Sequence, residues 1–309
     1  MVYVNRILFL VVSTVIMAQT VGQKATDEWL SRPVDDRVFA SYLDFFQYDP
    51  KLPFNLKTIR AGDQEGIHTE HISFQSTPGV TVTANISWPV ESAPKARAGI
   101  ILLHGGTAPG KDSSYMPVIS ELLTRGGFCV LNMDMQYFGE RKTGLLTTFT
   151  EEEKHDRLYN QPVTYLAFVI QTIKDIRRAA DLMIQHAGVS ERRLGILAFS
   201  RGAMMASIAG GVEKRLKAVV LCYGGHFDTQ ENRHLAAACP ANYIGRISPR
   251  ALLMINGTRD ASIIKDTSVD PLFRVAKMPK EIIWEDAGHQ LPGQENLSKT
   301  LSWLREKLK

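Results

Sequence analysis

Six short runs along the chain are almost continuously apolar: residues 98–103, 127–133, 194–199, 218–223, 250–256 and 281–284. Runs of this length without polar alternation suit strands covered on both faces. Between and after them the period lengthens, and residues 114–125, 163–186, 201–213 and 295–308 read as helices. This alternation predicts an α/β chain with a parallel sheet between two helical layers. Residues 68–75 and 80–88 follow a different rule. Apolar and polar residues alternate there on either side of Thr77-Pro78-Gly79, the pattern of an antiparallel hairpin with one solvated face. The expectation is a mostly parallel sheet of eight strands with an N-terminal antiparallel hairpin. No internal repeat or low-complexity linker is evident.

Residues 136–162 and 224–248 break the alternation after strand ends, which makes them candidates for small cap insertions. In the first, Thr150-Glu151-Glu152-Glu153 reads as a capped, solvated helix rather than an acidic binding site. The second carries His226, Asp228, His234, Cys239 and Tyr243. Arg6 is followed by an apolar run over residues 7–17 and then by small residues, the pattern of a secretory signal peptide; the run is short for a membrane anchor, which is the alternative. The chain therefore divides into a signal peptide (1–22), an extension (23–64) and one α/β domain (65–309), with a secreted or periplasmic destination. At 309 residues one domain suffices.

Charge changes little. The formal net charge of +4 is modest, its basic residues are scattered, and nothing in it demands nucleic acid. Once the signal is removed, no stable membrane association is expected. The three cysteines are Cys129, Cys222 and Cys239, so at most one disulfide can form, with Cys222 and Cys239 the pair left open. His68 and His71, three apart on a strand, point to opposite faces and cannot share one ion. No metal or cofactor motif is present, and cofactor-free chemistry is expected.

The candidate chemistry lies at strand ends. Phe199-Ser200-Arg201-Gly202 closes an apolar run and opens a helix, with the small residues Ala198 and Gly202 two positions either side of the serine. Such a corner lifts a serine hydroxyl above the sheet, although alanine stands where the usual pattern has its first glycine. Asp260 follows the run 250–256, and His289 follows the run 281–284. In a parallel sheet, loops at the carboxyl edge converge, so Ser200, Asp260 and His289 form a candidate nucleophile, orienting acid and base. Asp266, Asp270 and Asp286 are rival acids. The run 98–103 ends in His104-Gly105-Gly106-Thr107, where the Gly106 N–H, with Thr107 as alternative, and the Arg201 N–H are candidate oxyanion donors. His104 reads as a structural hydrogen-bonder.

These motifs, in this order, resemble an α/β hydrolase over residues 65–309, and within that superfamily the dienelactone hydrolase, acetyl xylan esterase and prolyl-oligopeptidase-like serine hydrolases. The resemblance rests on the His104-Gly105-Gly106 turn, Asp134 with Phe138-Gly139-Glu140-Arg141, the helix segment Asp175 through Asp181, the serine corner, Asn256-Gly257-Thr258-Arg259-Asp260, and Gly288-His289. It implies a serine hydrolase acting on a small-molecule or carbohydrate ester, with a short acyl group such as acetyl. Phe138, Glu140 and Arg141 would support the site or contact substrate. Bracing is the expected role of Glu140 and Arg141, and binding of a substrate carboxylate is the alternative for Arg141. A prolyl-oligopeptidase-like peptidase, for whose propeller the chain has no length, and a catalytically silent binding protein are the competing readings.

Overall fold

The computed structural model describes residues 28–91 and 97–309. Among these, nine strands form one sheet: β1 (Lys57–Gln64), β2 (Ile67–Thr77), β3 (Val80–Pro89), β4 (Arg97–Leu103), β5 (Phe128–Met133), β6 (Val189–Phe199), β7 (Leu216–Cys222), β8 (Ala251–Gly257) and β9 (Lys280–Glu285). The helices are α1 (Asp36–Phe45), α2 (Tyr115–Arg125), α3 (Glu151–Lys154), α4 (Pro162–Gln185), α5 (Arg201–Val212), α6 (Ala241–Ile244), α7 (Asp270–Val275) and α8 (Gln294–Lys307). The strand order is β1-β2-β3-β5-β4-β6-β7-β8-β9. Pairings from β1 to β5 in that order are antiparallel and the rest are parallel.

Five of the six apolar runs became buried strands for the reason their pattern gave, whereas the sixth, 281–284, lies in the edge strand β9, none of whose residues is fully buried. Every residue of β5 and β8 is buried, and helices cover both faces. One core packs α4 and α5 against the sheet through Phe168, Ile173, Met205 and Ile208; the other packs α2 and α8 through Ile119, Leu123, Trp303 and Leu304. The sheet has one strand more than the eight expected. All eight residues of β1 are exposed, so no apolar alternation marks it, and it exists through its antiparallel ladder with β2.

That ladder joins part of the 23–64 segment to the sheet. Further contacts hold the rest: Phe39 and Phe46 pack edge-on against Tyr243, and the fully buried Arg178 of α4 donates to the carbonyls of Pro50 and Leu52. The expected signal peptide lies outside the described residues, among which no helix is long and apolar enough to cross a membrane. All three cysteines are buried thiols, and the open Cys222–Cys239 disulfide is not made. His68 and His71 bond to different partners, Asp63 and Asn85.

The order of β4, β5 and β6 positions the site. The chain passes from β4 to β5 on one side and returns to place β6 on the other side of β4. Loops leaving adjacent β4 and β6 therefore diverge, opening a crevice at the carboxyl edge. His104-Gly105-Gly106 leaves β4 there, and Ser200 leaves β6.

Candidate active site

Ser200 stands between β6 and α5 with φ 49° and ψ −116°, a left-handed conformation that is strained for any residue but glycine. Its N–H donates to the Cys222 carbonyl at 2.9 Å and its carbonyl accepts the Ala203 N–H at 2.9 Å, so β7 and α5 hold the corner from both sides. The glycine two positions on is obligatory: a Cβ on Gly202 would lie 2.4 Å from the His104 carbonyl oxygen. Close approach of α5 to the end of β4 is what brings the Ser200 hydroxyl beside the glycine turn.

His289 and Asp260 meet this serine. His289 Nε2 is 2.9 Å from Ser200 Oγ, and its Nδ1 is 2.6 Å from Asp260 Oδ2. Asp260 is 5% exposed, and its other oxygen accepts the N–H groups of Ser262 and Ile263, both at 2.9 Å. A carboxylate fixed in this way holds the imidazole with Nδ1 protonated and Nε2 free to accept. The rival acids are engaged elsewhere: Asp286 pairs with Arg259 at 2.9 Å and Asp270 with Lys265 at 2.5 Å, while Asp266 lies 3.6 Å from Lys265. A second support for the histidine was hidden in the apolar run of β7. Tyr223, just beyond that strand, sets its ring edge-on to His289 at 5.9 Å and donates from Oη to Glu285, whose other oxygen accepts Gly293 N–H at 2.8 Å and Asn296 Nδ2 at 2.6 Å. The loop bearing His289 is thereby tied at both ends.

Around the glycine turn nearly every backbone polar group is engaged. Gly105 N–H donates to Tyr115 Oη at 2.9 Å, the Gly105 carbonyl accepts Thr107 N–H at 2.9 Å, and the Gly106 carbonyl accepts Lys154 Nζ at 2.8 Å. The Gly106 N–H is left without a protein acceptor among the described residues, as is the N–H of Arg201 at the start of α5. Thr107 N–H, the alternative donor, is spent inside the turn. A Cβ on Gly106 would lie 2.6 Å from Tyr159 Oη, so only glycine fits beneath that phenol.

A cavity of ≈ 650 Å³ opens over Ser200, walled by both insertions. The first insertion departs from its expected character. Thr150 caps α3 by accepting Glu153 N–H at 3.2 Å, yet Glu153 itself is buried. Its carboxylate accepts from the Thr147, Thr148 and Phe149 amides and from the Thr147 and Thr148 hydroxyls; these bonds, led by Thr147, lower its pKa to about 2. Glu153 thus folds a loop, and Lys154 and His155 face inward rather than to solvent. A π-helical turn, His155–Tyr159, then brings His155 and Tyr159 to the cavity wall.

There the insertions meet the Arg201 side chain. Its guanidinium is 4% exposed, bonds Glu231 at 2.7 Å and Asp228 at 3.1 Å, and stacks on the Tyr159 ring at 3.6 Å. Asp228 also takes His155 Nε2 at 2.9 Å. Burial works against a charged imidazole at His155, but the Asp228 and Glu151 bonds outweigh it and raise the pKa. His155, Asp228 and Glu231 have the spacing of metal ligands. The guanidinium already lies between the two carboxylates, so a metal ion would meet a fixed positive charge.

His104, Phe138, Glu140 and Arg141 are all engaged within the protein. His104 accepts Met135 N–H on Nε2 at 3.0 Å and donates from Nδ1 to the Gly105 carbonyl, and burial lowers its pKa. Phe138 is fully buried against His104, Phe149 and Phe168. Glu140 bonds Lys111, whereas Arg141 donates to the Asp134 carbonyl at 2.9 Å and to buried Asp175 at 2.8 Å. Neither lines the cavity. Arg141→Ala is expected to lower stability by about 2 kcal/mol, the scale of a lost charge-assisted bond, because Ser76 and Gln171 still serve Asp175. Thermal melts combined with turnover of matched neutral and anionic esters check this, and a selective loss for the anionic ester at unchanged Tm is the contrary result.

No protein-family profile matches the chain, and no curated protein does. Solved structures do. An acetyl xylan esterase from Paenibacillus sp. R4 superposes with a TM-score of 0.70 at 14% identity, over 91% of this chain and 99% of that one. Acetyl xylan esterase 1 from Thermoanaerobacterium sp. JW/SL YS485 gives 0.68 at 16% identity, over 90% and 95%. A cold-adapted esterase from an Arctic intertidal metagenomic library gives 0.64 at 19% identity, over 84% and 100%. At these identities the likeness is one of architecture, and together with the strand order it identifies the fold of this chain as that of the α/β hydrolases.

Proposed function

We propose that this protein is a serine ester hydrolase acting through an acyl-enzyme. The observation that carries the reading is the unbroken hydrogen-bonded line from Ser200 Oγ through His289 to the buried Asp260, at the floor of a cavity. Ser200 attacks the ester carbonyl as His289 Nε2 takes its proton, and Asp260 stabilises the imidazolium. The N–H groups of Gly106 and Arg201 receive the oxyanion. His289 then protonates the leaving alcohol, and water activated by the same imidazole releases the acid. No metal or cofactor enters.

The substrate class is an ester with a short acyl group, acetyl on a sugar being the foremost case. Acetyl xylan esterases share the fold, and the resemblance of the motifs points the same way. Residues 1–22 are proposed to direct export and be cleaved, leaving a short extension before the catalytic domain; N-terminal sequencing of the exported product tests this.

The direct test is a fluorophosphonate probe followed by turnover of acetyl, butyryl and octanoyl esters, acetylated sugars and proline-containing peptides. Expected are labelling that Ser200→Ala abolishes and fastest turnover with acetyl. Labelling with peptide cleavage in place of ester cleavage would move the protein to the peptidases, and absence of labelling would make it a silent hydrolase-fold binder.

A further inference from the structure

One charged side chain from outside the glycine turn holds it. Lys154, 48 residues beyond Gly106, donates to the Gly106 carbonyl at 2.8 Å. It lines the cavity with its side chain only 6% exposed, and its other partner, Glu151, is 2.6 Å away and largely exposed. Lysines are rarely buried, since removing an ammonium from water costs several kcal/mol. A turn carbonyl bordering a cavity is one that water can serve. The placement is also over-determined: Glu153 folds the preceding loop, His155 is tied to Asp228, and Tyr159 packs against Gly106. Arg201 stacks on that tyrosine, so the same insertion touches both residues whose N–H groups have no protein acceptor among the described residues.

We infer that Lys154 is a positioning residue for the oxyanion hole: its ammonium pins the Gly106–Thr107 peptide through the Gly106 carbonyl, which fixes the glycine Cα shared with the preceding peptide and so steadies the Gly106 N–H, and it sets a positive charge beside the point where negative charge develops. A Cβ on Gly106 would be 3.8 Å from Nζ, which places the charge next to the donor peptide. In a partly enclosed site such a charge acts with less screening than in water. The inference rests on the ester-hydrolase reading above.

Lys154→Ala tests it. The substitution leaves Glu151 solvated and opens the Gly106 carbonyl to water, so the fold is expected to survive. kcat for acetyl esters should fall roughly 10- to 100-fold, less than the ~10²–10³ of a directly donating group, with KM within about twofold. Affinity for a trifluoromethyl ketone, which forms an oxyanion on Ser200, should fall by the same factor as kcat/KM. Propylammonium should restore part of kcat, and tetramethylammonium, which has no N–H, should not. Lys154→Gln, whose amide can still donate to the Gly106 carbonyl but carries no charge, should show smaller losses of kcat and ketone affinity that remain parallel, and it serves if the alanine variant is unstable. Unchanged kcat, a loss confined to KM, or a kcat loss without loss of ketone affinity would each overturn the role. Ser200→Ala run alongside separates the two readings: a dead Ser200→Ala with a fully active Lys154→Ala rejects only the lysine, and an active Ser200→Ala rejects the mechanism.

Discussion

Ser200→Ala is expected to reduce ester turnover by about 10⁴- to 10⁶-fold while leaving the melting temperature nearly unchanged. The hydroxyl makes one side-chain hydrogen bond, to His289, and the corner is held by the Ser200 backbone bonds to Cys222 and Ala203, which alanine keeps. His289→Ala should be almost as severe. The two act as one unit, so the double variant should be little worse than either alone. Steady-state kinetics with a fluorophosphonate control on each variant measures this. Turnover within a hundredfold of the parent in Ser200→Ala, or additive losses in the double variant, would remove Ser200 from the chemistry.

Asp260→Asn should cost about 10⁴-fold in kcat with the fold intact. An asparagine oxygen can still accept the Ser262 and Ile263 N–H groups that Asp260 Oδ1 accepts at 2.9 Å. Its amide then faces His289 Nδ1 with a donor, which favours the tautomer protonated on Nε2, and that nitrogen can no longer take the Ser200 proton. Asp266→Asn, Asp270→Asn and Asp286→Asn should each keep kcat within about threefold, because their carboxylates serve Lys265 or Arg259. A near-normal Asp260→Asn beside a crippled neighbour would reassign the acid.

The two carboxylate networks of the insertions mark where sequence reasoning reached its limit. Glu153 and Lys154 sit in a run of charges, and a run of charges is most simply solvated. Here Glu153 takes the amides of the residues just before it, and Lys154 finds a carbonyl 48 residues away. Arg201 was legible as the residue after the serine, but its side chain is balanced by Glu231 and Asp228, which a separate insertion supplies. A helix-capping signal at Thr150 was visible in the sequence and α3 starts there, yet that signal says nothing about which way the following side chains face.

By itself the sequence determined the sheet, the hairpin, the serine corner, and the order in which serine, acid and histidine reach the carboxyl edge. Each depends on local regularities: apolar periodicity reports which faces are buried, and small residues report where backbones approach. Only the tertiary structure decided that β1 joins the sheet with no buried residue, that Asp260 rather than Asp286 meets His289, and that Lys154 and Arg201 turn inward. A buried polar group is stable only when a partner satisfies it. Because those partners come from elsewhere along the chain, the same residue type stands equally for a solvated surface or a buried network, and folding alone distinguishes them.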